Sequence, residues 1–127
     1  MIAVDASVLI AHLYPHDAHH TTATRFLQEV ADEPLIAHSL TMAEVLVGGV
    51  RVGRGQEMLA DIRAVGIQAV TGDGGEPLRL AELRVTTGLK LPDCCVLATA
   101  LSNSALLATF DDALGKAARQ LDVSVMP

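Results

Sequence analysis

The chain has 127 residues, of which 50% are apolar and only 2% aromatic. It is long enough for one aliphatic core, and it lacks the aromatic platforms on which RRM-type and OB-type readers stack bases. Nine Lys and Arg against 15 Asp and Glu leave a net charge of −6, with a pI of about 5.2, so general basicity cannot be what draws it to nucleic acid. Cys94 and Cys95 are adjacent and form neither an ordinary loop-closing disulfide nor a C-x-x-C pattern, which suits a reducing compartment. No basic leader precedes the first apolar run, and no apolar stretch approaches the roughly 18 residues of a membrane span. A cytoplasmic protein without membrane contact is expected.

In chain order, Ile2 to Val4 reads as a short strand ending at Asp5, and the densely apolar Ala6 to Leu13 as a buried helix stopped by Pro15. Asp17 to Ala31 is an amphipathic surface helix with its stripe at Ala23, Phe26, Leu27 and Val30. Pro34 introduces a strand at Leu35 to Ala37, and Ser39 or Thr41 caps a helix running to about Val52. Gly53 and Gly55 punctuate before a helix from Gln56 to Val65, closed by Gly66, and Ile67 to Val70 is a third strand. Pro77 to Thr87 follows as a helix with Leu78, Ala81 and Val85 on its apolar face, widened by Leu80 and Leu83, and Gly88 closes it. Pro92 opens a helix from Asp93 to about Ser102; Leu106 to Ala108 is a fourth strand, Asp112 to Leu121 a last helix, and Val123 to Val125 a last strand. Strands alternating with helices, without repeat or linker, predict one α/β domain over residues 1–127, a three-layer α/β/α arrangement around a mostly parallel sheet.

Most acids, among them Glu29, Asp32, Glu33, Glu57, Asp61, Glu76 and Glu82, stand beside other charges and read as solvated positions. Four have apolar surroundings instead: Asp5 ends the first strand, Glu44 lies in Leu40 to Val47, Asp93 opens a helix in Leu91 to Val96, and Asp111 follows the fourth strand. Taken singly, Asp5 reads also as a turn residue, Asp93 and Asp111 as caps, and Glu44 as a partly exposed helix acid. Asp5 and Asp111 converge if their strands are neighbours, because ligands of open parallel sheets bind beyond the carboxyl ends of the strands. Two carboxylates about 4 Å apart repel by about 4 kcal/mol at an effective dielectric near 20, so four together call for a cation or protons. Ligands that are all oxygen suit Mg2+ or Mn2+ rather than Zn2+, and such a centre points to metal-assisted phosphodiester cleavage.

Asp5-Ala6-Ser7 after an opening strand, Glu44 in the third helix, Leu91-Pro92-Asp93 before an apolar helix and Thr109-Phe110-Asp111 after a strand resemble the four acidic signatures of PIN-domain nucleases. Length and organisation resemble the VapC-type toxins of bacterial toxin-antitoxin pairs. The resemblance spans residue 2 to about 125 and implies a PIN-like fold and a Mg2+-dependent endoribonuclease, usually homodimeric and held inactive by a small VapB-type antitoxin. Operator DNA is then bound only through the antitoxin. Carried over, it makes Asp5, Glu44, Asp93 and Asp111 the catalytic metal ligands, with Ser7 and Thr109 as supporting hydroxyls. It implies hydrolysis by in-line attack of water on phosphorus, the cation stabilising the developing charge. Asp112, where the family often carries a basic or other polar residue, is a departure; Thr109-x-Asp111 selects Asp111.

His12, His16, His19 and His20 read as a solvated helical face near the groove, in reach of substrate or antitoxin, and Cys94 and Cys95 as buried packing residues. Arg51, Arg54, Arg79, Arg84 and Lys90 are surface charges, with Arg84 and Lys90 the candidates for RNA phosphates. The paired acid after the first strand, the phosphoacceptor Asp after a middle strand and the late Lys of a phosphate-transferring receiver domain are not found here. A non-catalytic PIN-like module that binds RNA or protein is the alternative that a cleavage assay would separate.

Overall fold

A computed structural model describes all residues, 1–127. Its elements are β1 (Ile2–Val4), α1 (Ala6–Leu13), α2 (His20–Glu29), β2 (Leu35–His38), α3 (Ser39–Arg51), α4 (Gly55–Ala64), β3 (Ile67–Val70), α5 (Glu76–Thr87), α6 (Leu91–Ser102), β4 (Leu106–Ala108), α7 (Asp112–Gln120) and β5 (Val125–Met126). The five strands form one sheet in the order β3-β2-β1-β4-β5, and every pairing is parallel. The expected α/β class thus holds, with the sheet parallel throughout.

β1 is central, and Ile2, Ala3 and Val4 are all buried, as expected of a strand covered on both faces. Alternation splits its side chains between two cores: Ile2 and Val4 pack with Val8, Leu9, Phe26, Leu27, Val45 and Ile62 on one face. Ala3 packs with Leu97, Ala100, Leu107, Leu114 and Ala118 on the other. α6 is the middle helix of the second layer: Cys94 to Ala100 are seven consecutive buried residues, because α3, α5, α7 and strands β1, β2 and β4 all pack around it. A helix apolar all round is what such enclosure demands.

Several boundaries and faces differ from the sequence expectation. α2 begins at His20 rather than Asp17, since the Asp17 carboxylate accepts the His19 N–H at 2.8 Å and holds residues 17–19 in a turn. α3 is capped by His38, whose Nδ1 accepts the Leu40 N–H at 3.0 Å, and not by Ser39 or Thr41. α5 turns Leu80 and Leu83 toward the core, while Leu78 is 67% and Val85 86% exposed. Both stripes fit a helical period, and the packing of α5 on α6 selects the second. The last strand starts at Val125 rather than Val123, because Asp122 adopts φ 60 and the Val123 N–H returns to the Ala118 carbonyl at 2.9 Å.

The strand order reverses beside β1: the chain runs outward through β2 and β3 on one side and returns through β4 and β5 on the other. Val4 pairs with Ala108, so the residues that follow β1 and β4 lie next to each other at the carboxyl edge of the sheet. In open parallel sheets this switch point is where ligands bind.

Candidate active site

Asp5 stands at this switch point. Its backbone N–H extends the β1–β4 pairing to the Ala108 carbonyl at 2.9 Å, and the residue is only 6% exposed. Its Oδ2 accepts two hydroxyl bonds, from Ser7 Oγ at 2.7 Å and from Thr109 Oγ1 at 2.8 Å. Ser7 Oγ in turn accepts the Phe110 N–H at 3.0 Å, and Thr109 Oγ1 accepts the Asp111 N–H at 3.0 Å. The two hydroxyls therefore stitch the end of β1 to the end of β4 and fix the orientation of Asp5, leaving its Oδ1 without a protein hydrogen bond. A buried carboxylate held in this way is oriented, and its charge is not neutralised.

Two of the other three acids, Glu44 and Asp93, sense its charge. Burial raises the Glu44 carboxyl above the ordinary range, and the charges of Asp5 and Asp93 add to the rise. Burial likewise raises Asp93, with further contributions from Asp5 and Asp111, opposed by the Lys90 ammonium. Glu44 reaches the group from the second turn of α3, and Asp93 from the first turn of α6, just after Pro92. Asp111 is exposed and caps α7, accepting the Leu114 N–H on Oδ1 at 2.8 Å; its cap reading and its place beside Asp93 hold together, since Oδ2 stays free. Asp112 lies within the first turn of α7.

The ion pairs of the chain join Met1 to Glu33, His38 to Glu76, Arg54 to Glu57 and Arg79 to Asp73. None involves these four carboxylates. An all-oxygen donor set in which neighbouring carboxylates help raise Glu44 and Asp93, with no Arg or Lys ion-paired to any of the four, fits a hard divalent cation such as Mg2+ or Mn2+. Of the two cations expected at RNA phosphates, Lys90 lies beside Asp93. Arg84 instead donates from Nη1 to the carbonyls of Gly88 at 2.7 Å and Leu89 at 2.9 Å, pinning the turn between α5 and α6.

A second group of ligating side chains escaped the sequence reading, which took Glu76 for a solvated acid. His38 Nε2 lies 2.6 Å from Glu76 Oε1, both side chains largely covered, and Cys95 Sγ lies within 4.8 Å of their ligating atoms. Because Nδ1 accepts the Leu40 N–H, the proton sits on Nε2 and is donated to Glu76. No imidazole lone pair then faces the thiol and carboxylate, and the arrangement is a tie between the end of β2 and α5 rather than a metal centre. No spacing rule links residues 38, 76 and 95; the parallel pairing of β2 with β3 brings the first two together. Both cysteines are free and buried; burial raises Cys94, and burial followed by the Glu76 charge pushes Cys95 up to about 11, as expected of packing residues.

Comparison with known families and structures gives a consistent pattern. The family model described as "PIN domain" matches residues 2–120. The fold is similar to a toxin-antitoxin complex from Klebsiella pneumoniae (24% identity over 87% of this chain and 85% of the other, TM-score 0.71). It is similar to VapC20 of Mycobacterium tuberculosis, described as a sarcin-ricin-loop-cleaving toxin (18% identity, 92% and 95% covered, TM-score 0.76). It also resembles FitAcB from Neisseria gonorrhoeae (23% identity, 100% and 97% covered, TM-score 0.75). No curated protein matches the chain.

Proposed function

Since the chain belongs to the PIN-domain family, we propose that it is a Mg2+-dependent endoribonuclease, with Mn2+ as an alternative cation, and the toxin of a type II toxin-antitoxin pair. The observation that carries this reading is the buried Asp5, oriented by Ser7 and Thr109, whose charge helps raise the Glu44 and Asp93 carboxyls, with no ion pair to any of the four acids. Asp5, Glu44, Asp93 and Asp111 would hold the cation. When bound, it supplies the charge that activates water and stabilises the negative charge developing on the phosphoryl oxygens. Around it the chain's own residues perform the positioning: Ser7 and Thr109 prevent Asp5 from turning away, and Leu114 N–H holds one oxygen of Asp111. Lys90, beside Asp93, offers an ammonium to the RNA backbone.

The partner proteins follow from the similar structures. A toxin-antitoxin complex, FitAB bound to a DNA fragment, and VapBC2 from Rickettsia felis bound to promoter DNA support a VapB-type antitoxin as partner, with operator DNA reached through it. We extend this to a homodimer acting in the cytoplasm. No helix is long and apolar enough to cross a membrane, and two free thiols suit a reducing compartment.

The decisive experiment is cleavage of total cellular RNA by the purified, antitoxin-free protein with Mg2+, with EDTA, and with Asp5→Asn. Cleavage that requires both metal and Asp5 establishes the nuclease. Folded protein that binds RNA but does not cut any of a varied panel would instead make the chain a PIN-like binding module.

A further inference from the structure

Of the three aromatic residues in the chain, Phe26 is buried in the core, and the other two border the carboxylates from opposite ends. Glu44 is carried by α3, which packs against β2 and β3 on one side of β1, and Asp111 follows β4 on the other. Glu44 and Asp111 therefore stand on opposite sides of Asp5. At the Glu44 end, Tyr14 is 40% exposed and shares with Glu44 a cleft of about 420 Å3. Its hydroxyl rests over Gly48, where a Cβ would stand only 2.7 Å away, so a residue without a side chain makes its seat. At the Asp111 end, the Phe110 ring is stacked on His19, with centroids 4.4 Å apart and planes 9° from parallel. That pair, Asp111 and Arg119 line a second cleft of about 200 Å3.

One short segment carries both outer rings. Tyr14 closes α1 and His19 precedes α2. Between them, the Asp17 N–H bonds the Tyr14 carbonyl at 3.0 Å, and the Asp17 carboxylate accepts the His19 N–H at 2.8 Å. The spacing of the two rings is thus fixed by a hydrogen-bonded turn.

An acidic groove on a chain of net charge −6 holds a polyanion poorly through its backbone. Beside Lys90 and the cation, the uncharged faces of the bases offer a further grip, and stacking on flat side chains tolerates any sequence because every base has a π-face. We infer that Tyr14 and the His19–Phe110 stack receive unstacked bases of single-stranded RNA on either side of the phosphate held at the carboxylates, with Arg119 facing the strand at the Phe110 end. The inference rests on the nuclease reading and adds to it what holds the substrate.

The test uses the full chain and an oligoribonucleotide whose cut position has been mapped, beside versions made abasic at the nucleotides flanking the cut. Tyr14→Leu and Phe110→Leu keep apolar bulk and remove the flat ring; Tyr14→Phe keeps the ring. Loss of one ring is expected to raise KM about tenfold with kcat nearly unchanged, and Tyr14→Phe, which keeps the ring, to raise it severalfold less than Tyr14→Leu. The abasic change at one flank should cost wild type a similar factor and cost the matching Leu variant nothing further. The same comparison by fluorescence anisotropy in EDTA reads binding without cleavage. Leu variants with wild-type KM and binding, in a protein that cuts, overturn the stacking alone. Ring-dependent binding without cutting in Mg2+ overturns the nuclease reading alone, and a folded wild type that neither cuts RNA in Mg2+ nor binds it with or without the cation overturns both.

Discussion

Asp93 and Glu44 hold their protons more tightly in the folded chain than in the unfolded one, since burial and neighbouring carboxylates raise both. The sign of the linkage follows. Well below the unfolded pKa neither state is ionised; as pH rises the unfolded state ionises first, and the metal-free fold loses stability until the pH has passed the folded pKa. Asp93→Asn removes one of these charges, so the metal-free variant should melt at or above the wild-type temperature at neutral pH, and the difference should shrink on acidification. Cleavage should be abolished. A variant melting well below wild type in EDTA at neutral pH would contradict the repulsion. Mg2+ should raise the melting temperature of wild type clearly more than that of the variant, read by thermal denaturation with and without EDTA. Cys95, pushed up to about 11, and the buried Cys94 should resist alkylation at neutral pH in the native protein and react fully once unfolded. Rapid native labelling, followed by mass spectrometry, would contradict their burial.

Between elements, Thr109 does the most with the fewest atoms: its hydroxyl donates to Asp5 and accepts from the Asp111 backbone, joining the ends of β1 and β4 and the start of α7. Thr109→Val keeps the shape and leaves both partners short, so denaturant unfolding should show a loss of about 1–3 kcal/mol, with cleavage reduced beyond what the lost stability explains. Wild-type activity and stability in that variant would remove Thr109 from the support of Asp5. How far such ties can be read in the sequence depends on their range. α1 and α6 were legible because dense apolar runs bounded by Asp5, Pro15 and Pro92 admit few other arrangements, and the four acids of the proposed site were singled out because each stands among apolar neighbours. The α5 face was not, since Leu78 and Val85 are spaced as well as Leu80 and Leu83 and only the position of α6 decides between them. The His38 cap and its Glu76 partner were equally hidden, for an imidazole that accepts a backbone N–H on one nitrogen and donates from the other depends on a turn and on a strand pairing that no local pattern encodes.

Over the whole molecule, the distribution of charge sets how RNA is held. Arg54, Arg79 and Arg84 are committed to Glu57, Asp73 and backbone carbonyls, leaving Lys90 and Arg119 as the cations described beside the groove. Each phosphate neutralised on a single strand contributes about −0.7 to the slope of log affinity against log salt. Metal-free RNA binding should therefore show a shallow slope, no steeper than about −1.5 for two contacts; a much steeper one, measured by titration at several salt concentrations, would mean a basic surface elsewhere. The sheet order has a bearing on biosynthesis. β1 is made before the other four strands but occupies the centre, and Asp5 obtains its second hydroxyl from a residue 104 positions later. Nascent chains that lack Thr109 and Asp111 would lack half of the proposed cluster's support and one of its acids. The proposed toxin is thus harmless to the machinery that translates it until the segment beyond β4 has been made.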